Sequence, residues 1–122
     1  VFAIVSLTDS TAIAETTKSY GAMKHEISFD KNNISEIDVN KIAEGFTKTT
    51  FFDEVVTKYV NAKKVNNTFE ISISCDKSVT SSSEALESFV QLRNELQNLF
   101  SDHKIVFNLV VDNLDNVVKR LE

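Results

Sequence analysis

The sequence predicts an α+β domain in which an antiparallel sheet carries two helices on one of its faces. Two observations predict it: a pair of alternating strands that agree in register across Asn66-Asn67, and two stretches of helical spacing that flank the pair. With Val65 and Thr68 bounding a two-residue loop, Val60 meets Ile73 and Ala62 meets Ile71 on one face. Lys63 then opposes Glu70 as a cross-strand ion pair on the other face, together with Tyr59, Asn61, Ser72 and Ser74. One side of the ribbon is therefore apolar and the other polar.

Residues 1–7 form a near-continuous apolar run, Val1-Phe2-Ala3-Ile4-Val5 at its head, and read as a strand buried on both faces or paired with a partner. The alternative, a signal remnant ending near Ala12-Ile13-Ala14, lacks a basic segment in front of it. Residues 8–22, rich in Thr, Ser and Ala, read as a loop. From Met23 to Phe29 the alternation returns, with Met23, His25, Ile27 and Phe29 on one side and Lys24, Glu26 and Ser28 on the other.

Ser35 can cap a helix in which Ile37 or Val39, Ile42, Ala43 and Phe46 recur at helical spacing, with Glu36 and Asp38 in the first turn. Gly45 lowers helix propensity, so fraying is expected by Thr47. After the hairpin, the Ser81-to-Glu84 spacing of a capping box opens the strongest helix. Its stripe is Ala85, Leu86, Phe89, Leu92, Leu96, Leu99 and Phe100. Ile105, Phe107, Leu109 and Val111 alternate as the last strand. Leu114, Val117, Val118 and Leu121 repeat at i, i+3, i+4 and i+7, which predicts a short C-terminal helix over 114–121.

Residues 23–111 thus follow the order β-α-β-β-α-β, an arrangement that resembles the split βαβ unit called ferredoxin-like, with the N-terminal strand and C-terminal helix added. Right-handed crossovers would then place both helices over Ile27, Phe29, Val60, Ile71, Ile73, Phe107 and Leu109, leaving the opposite face open. An architecture shared by many unrelated activities carries no function with it.

The 122 residues, 42% of them hydrophobic, suit a single domain, 1–122, with its core in 23–111. A net charge of −5 argues against a nucleic-acid partner, whose affinity comes from clustered Lys and Arg. With no Pro and two Gly there is neither a proline-rich linker nor a glycine-rich phosphate loop. No run approaches the roughly 20 apolar residues of a membrane span. The one cysteine, Cys75, points toward a reducing compartment such as the cytoplasm, with periplasmic or secreted locations left open.

No residue set reads as catalytic, metal-binding or cofactor-binding. His25, on the apolar side of its strand, is better explained by a satisfied hydrogen bond than by catalysis. His103 suits a turn after a helix. Neither has a third ligand in reach. Cys75 lies beside Asp76, which opposes thiolate formation. Asp112, Asn113, Asp115 and Asn116 lack the glycine and distal glutamate of a calcium loop and read as a turn and helix cap. The hydroxyls of Ser78 to Ser83 suit capping, because no glycine lets backbone approach a phosphate. Asn33-Ile34-Ser35 and Asn66-Asn67-Thr68 have glycosylation spacing, meaningful only in a eukaryotic secretory chain.

The expected function is that of a non-enzymatic domain that binds a protein partner or itself through the open face, at Tyr59, Asn61, Val106, Asn108 and Val110, or through the N-terminal strand. Two alternatives stand beside it. One is a small-molecule or hydrolytic pocket near His25 and Tyr20; the other is an acidic inhibitor of a basic enzyme.

Overall fold

A computed structural model describes residues 15–122; the expected strand 1–7 lies outside the described residues. The fold is mixed α+β, a six-stranded sheet carrying two helices. In chain order the elements are β1 (Glu15–Tyr20), β2 (His25–Asp30), α1 (Glu36–Lys48), β3 (Tyr59–Val65), β4 (Thr68–Ser74), a 3-10 turn (Lys77–Ser81), α2 (Ser83–Asn98), β5 (Lys104–Val110) and β6 (Val117–Leu121).

The hairpin has the predicted register: Val60 faces Ile73, Ala62 faces Ile71 and Lys63 faces Glu70. Asn66 takes a φ of 54° at its tip, a value that Asn tolerates. α1 begins at the predicted cap, where the Ser35 hydroxyl accepts the Asp38 N–H at 3.1 Å. α2 begins one residue later than the Ser81 spacing implies, because Ser81 closes the 3-10 turn and Ser82 accepts the Ala85 N–H at 3.1 Å.

The strand order differs from the ferredoxin-like expectation. The sheet runs β1-β2-β3-β4-β5-β6 in simple sequence, with β2–β3 and β4–β5 parallel and the other three seams antiparallel. It is therefore neither all-antiparallel nor split. Both helices do pack on the predicted face, where Phe46 of α1 meets Phe107 of β5 at a ring distance of 6.2 Å. The β2–β3 and β4–β5 crossovers step the same way across the sheet while their strands run in opposite directions. Two such crossovers on one face have opposite hands, a departure from the usual right-handed rule.

Two further elements differ. Glu15–Tyr20, expected to be loop, is an edge strand paired antiparallel to β2. Its Thr and Tyr residues suit a strand, but an edge that stays polar gives no apolar alternation to read. The predicted C-terminal helix is instead β6, paired to β5 with Leu121 opposite Phe107. Only Leu121 of its apolar set is buried, and Asn113 and Asn116 shape the turn before it, with the Asn116 side chain donating to the Val111 carbonyl at 2.9 Å.

The core lies between sheet and helices, with Phe29, Phe46, Phe69 and Phe107 fully enclosed. Gly45 does not end α1. A Cβ there would run into Leu96 of α2, so glycine permits the close helix crossing and α1 continues to Lys48.

Candidate functional site

Because alternate residues of each strand face the same way, the register assigns the face opposite the helices. One row crosses all six strands: Thr17, Ser28, Asn61, Ser72, Asn108 and Arg120 are successive partners. Every member is polar. Over this row lies a groove of about 720 Å³, whose lining includes Glu15 and Asp30 at the β1–β2 end, Lys63 and Glu70 in the middle, and Asp115 and Arg120 at the β6 end.

Asn61 and Asn108 form the floor, 8% and 7% exposed. The Asn61 amide donates to Ser28 Oγ at 2.9 Å and to Glu15 Oε1 at 3.2 Å. Asn108 donates to Glu70 Oε1 at 3.2 Å and accepts from Arg120 at 3.2 Å. The predicted Lys63–Glu70 ion pair is replaced: Glu70 lies opposite Lys63 in register, but its carboxylate pairs with Arg120 at 3.3 Å. Misreading β6 as a helix hid that partner.

The two groove carboxylates respond in opposite directions. Partial burial and then the charge of Asp30 push the Glu15 carboxyl above its ordinary value, against the hydrogen bonds from Asn61 and Ser28. Burial also works to raise Glu70, but hydrogen bonds from Arg120 and Asn108, and the charges of Arg120 and Lys63, outweigh it and hold Glu70 below its ordinary value.

Of the expected interface residues, Asn61 and Asn108 line this groove. Val106 and Val110 do not sit exposed as expected; they are 1% and 0% exposed. β5 is an inner strand flanked by β4 and β6, and its two valines lie enclosed on either side of the nearly buried Asn108. Tyr59 is half-buried.

The structure brings His25 and Tyr20 together as cross-strand partners on the helix side of the sheet. Both are occupied. His25 accepts the Lys58 N–H at Nδ1 (2.9 Å), which places its proton on Nε2, facing the Asp53 carbonyl at 2.6 Å. Its ring stacks on Phe52 at 4.6 Å. Tyr20 donates to Asn40 at 2.8 Å, and burial followed by the Glu36 charge pushes its phenol up to about 12. Neither group is poised for proton transfer.

A second groove of about 390 Å³ lies past the end of β4, between Phe51, Cys75, Val79 and Phe89. Burial pushes the Cys75 thiol up to about 11, which keeps it from being a thiolate nucleophile near neutrality. Asp112 to Asn116 form the β5–β6 turn, with Asn113 accepting the Asp115 N–H at 3.0 Å. Among the described residues no three His, Cys, Asp or Glu side chains gather to hold a metal ion, and no helix is long and apolar enough to cross a membrane.

Sequence reasoning found Asn61, Ser72 and Asn108 on this face but missed Glu15, Asp30 and Arg120 as parts of one site. Extending the hairpin register two strands outward on each side, through β2 to β1 and through β5 to β6, is the signal that links them. No protein-family model, curated protein or solved structure matches the chain.

Proposed function

We propose that this chain is a non-enzymatic binding domain that holds a segment of a partner protein in the polar groove on the sheet face opposite α1 and α2. The observation that carries this reading is the six-strand polar row whose buried amides, Asn61 and Asn108, are fixed by neighbours and present a formed surface. Among the described residues that line the groove, none pairs a nucleophile with a base, which supports binding over catalysis. The pocket reading at His25 loses support because both ring nitrogens are used in holding the 53–58 loop.

Filling the groove tests the proposal. Ser72→Trp places a large side chain in the groove without disturbing the helix-side core. Partners captured from source-cell extract by the parent protein should be lost by this variant and kept by Ile37→Lys, a change at an exposed site on α1. If both variants capture the same partners as the parent, the groove is not the contact site.

A further inference from the structure

We propose that the groove receives a cationic segment of its partner, with a lysine or arginine side chain seated at the β1–β2 end. This rests on the binding reading above and adds the partner's chemistry. Charge complementarity carries it. Four carboxylates line the groove, Glu15, Asp30, Glu70 and Asp115, against Lys63 and Arg120. Arg120 is already committed to Glu70 at 3.3 Å and Glu122 at 3.0 Å. Among the described residues Glu15, Asp30 and Asp115 form no ion pair within 4.0 Å. Among the described residues that line the groove, Lys63 alone is left to balance those three carboxylates.

The imbalance is sharpest where Glu15 and Asp30 stand directly opposite each other across β1–β2. Like charges so placed oppose strand pairing. The buried Asn61 amide nonetheless holds the Glu15 carboxylate in the groove at 3.2 Å. A guanidinium or ammonium entering from a partner would meet the Glu15 and Asp30 carboxylates together, relieving the repulsion that the free protein carries. The chain's net charge of −5 would favour encounter with such a segment. A bare metal ion fits less well, because among the described residues no third acidic or imidazole ligand joins the pair.

The test titrates isotope-labelled protein at low salt with tetralysine amide and, separately, with tetraglutamate. Tetralysine should shift amide resonances concentrated at Glu15, Asp30, Asn61 and Lys63, and tetraglutamate should not bind. E15Q with D30N should weaken tetralysine by about fivefold or more, whereas E87Q with E95Q on α2 should leave it within about twofold. If the first pair fails to fold, Lys63→Glu, at an exposed position, should tighten tetralysine by about threefold. Shifts spread over the whole acidic surface, equal losses from both double variants, or equal binding of tetraglutamate would each overturn the inference. So would groove resonances that move on dilution of the protein alone, which would make the occupant a second copy. If Ser72→Trp abolishes partner capture while tetralysine ignores the groove, the binding reading stands and the cationic inference falls.

Discussion

His25 and Asp53 are joined through side chain and backbone: the imidazole Nε2 lies 2.6 Å from the Asp53 carbonyl, while the Asp53 carboxylate accepts the N–H groups of Val55 and Val56 at 3.0 and 3.2 Å. One buried ring therefore anchors the middle and the end of the loop between α1 and β3, at Asp53 and Lys58, and the Asp53 carboxylate shapes the stretch between them.

His25→Ala should destabilise the protein by about 2–4 kcal/mol, since it strands the Lys58 N–H and the Asp53 carbonyl and empties the space beside Phe52. Urea denaturation measures this. Tetralysine binding should be unchanged, and a loss of binding in a folded variant would return His25 to the site.

Gly45→Ala should cost about 1–3 kcal/mol despite alanine's better helix propensity, because the added methyl overlaps Leu96 at the crossing of α1 and α2. Combined with Leu96→Ala, the two costs should sum to more than the double variant loses. Strict additivity would mean that the crossing is not tight.

Ile73→Ala should cost about 2–5 kcal/mol and Ser72→Ala less than about 0.5 kcal/mol, because adjacent residues of β4 face opposite sides of the sheet. Equal costs would contradict the register.

Thr50 follows the C-cap of α1 with a φ of 64°, a conformation that a β-branched residue resists. Thr50→Gly should therefore raise stability by about 0.5–1 kcal/mol. A lower melting temperature would show that the Thr50 side chain repays its strain.

Acid should lower the protein's stability modestly through its depressed surface carboxyls. Hydrogen bonds from Val55, Val56 and Lys58 hold Asp53 down to about 2, and Asp76 and Glu122 are lowered by hydrogen bonds from Ser78 and from Arg120 and Lys104. Their stabilisation is present above the ordinary carboxylate range and is lost as pH falls through the folded values. Asp53→Asn should flatten the stability profile in that window. Glu15 has the opposite sign: its raised pKa disfavours folding once pH rises through the ordinary range, so Glu15→Gln should stabilise at neutral pH.

The hairpin, the Ser35 cap and the helix-bearing face were legible because each rests on local chemistry: a turn, a hydroxyl, an alternation. The edge strands were not. β1 exposes polar residues, and the Val117, Val118 and Leu121 spacing of β6 satisfies a helical template as well as a strand. Strand order was lost for a different reason. The handedness rule, applied to two helices on one face, selects the split order, and this chain uses crossovers of opposite hand instead. With β6 unseen, Arg120 had no place on the sheet, and half of the groove's charge pattern was out of sight.

The strictly sequential strand order has a consequence for how the chain assembles. Each seam of the sheet joins a strand to the one made just before it, so no strand must wait for a later one to be inserted between it and its neighbour. A polypeptide emerging from the ribosome can extend the described sheet one edge at a time, its three antiparallel seams closing between neighbouring segments and its two parallel seams waiting for the helix between their strands.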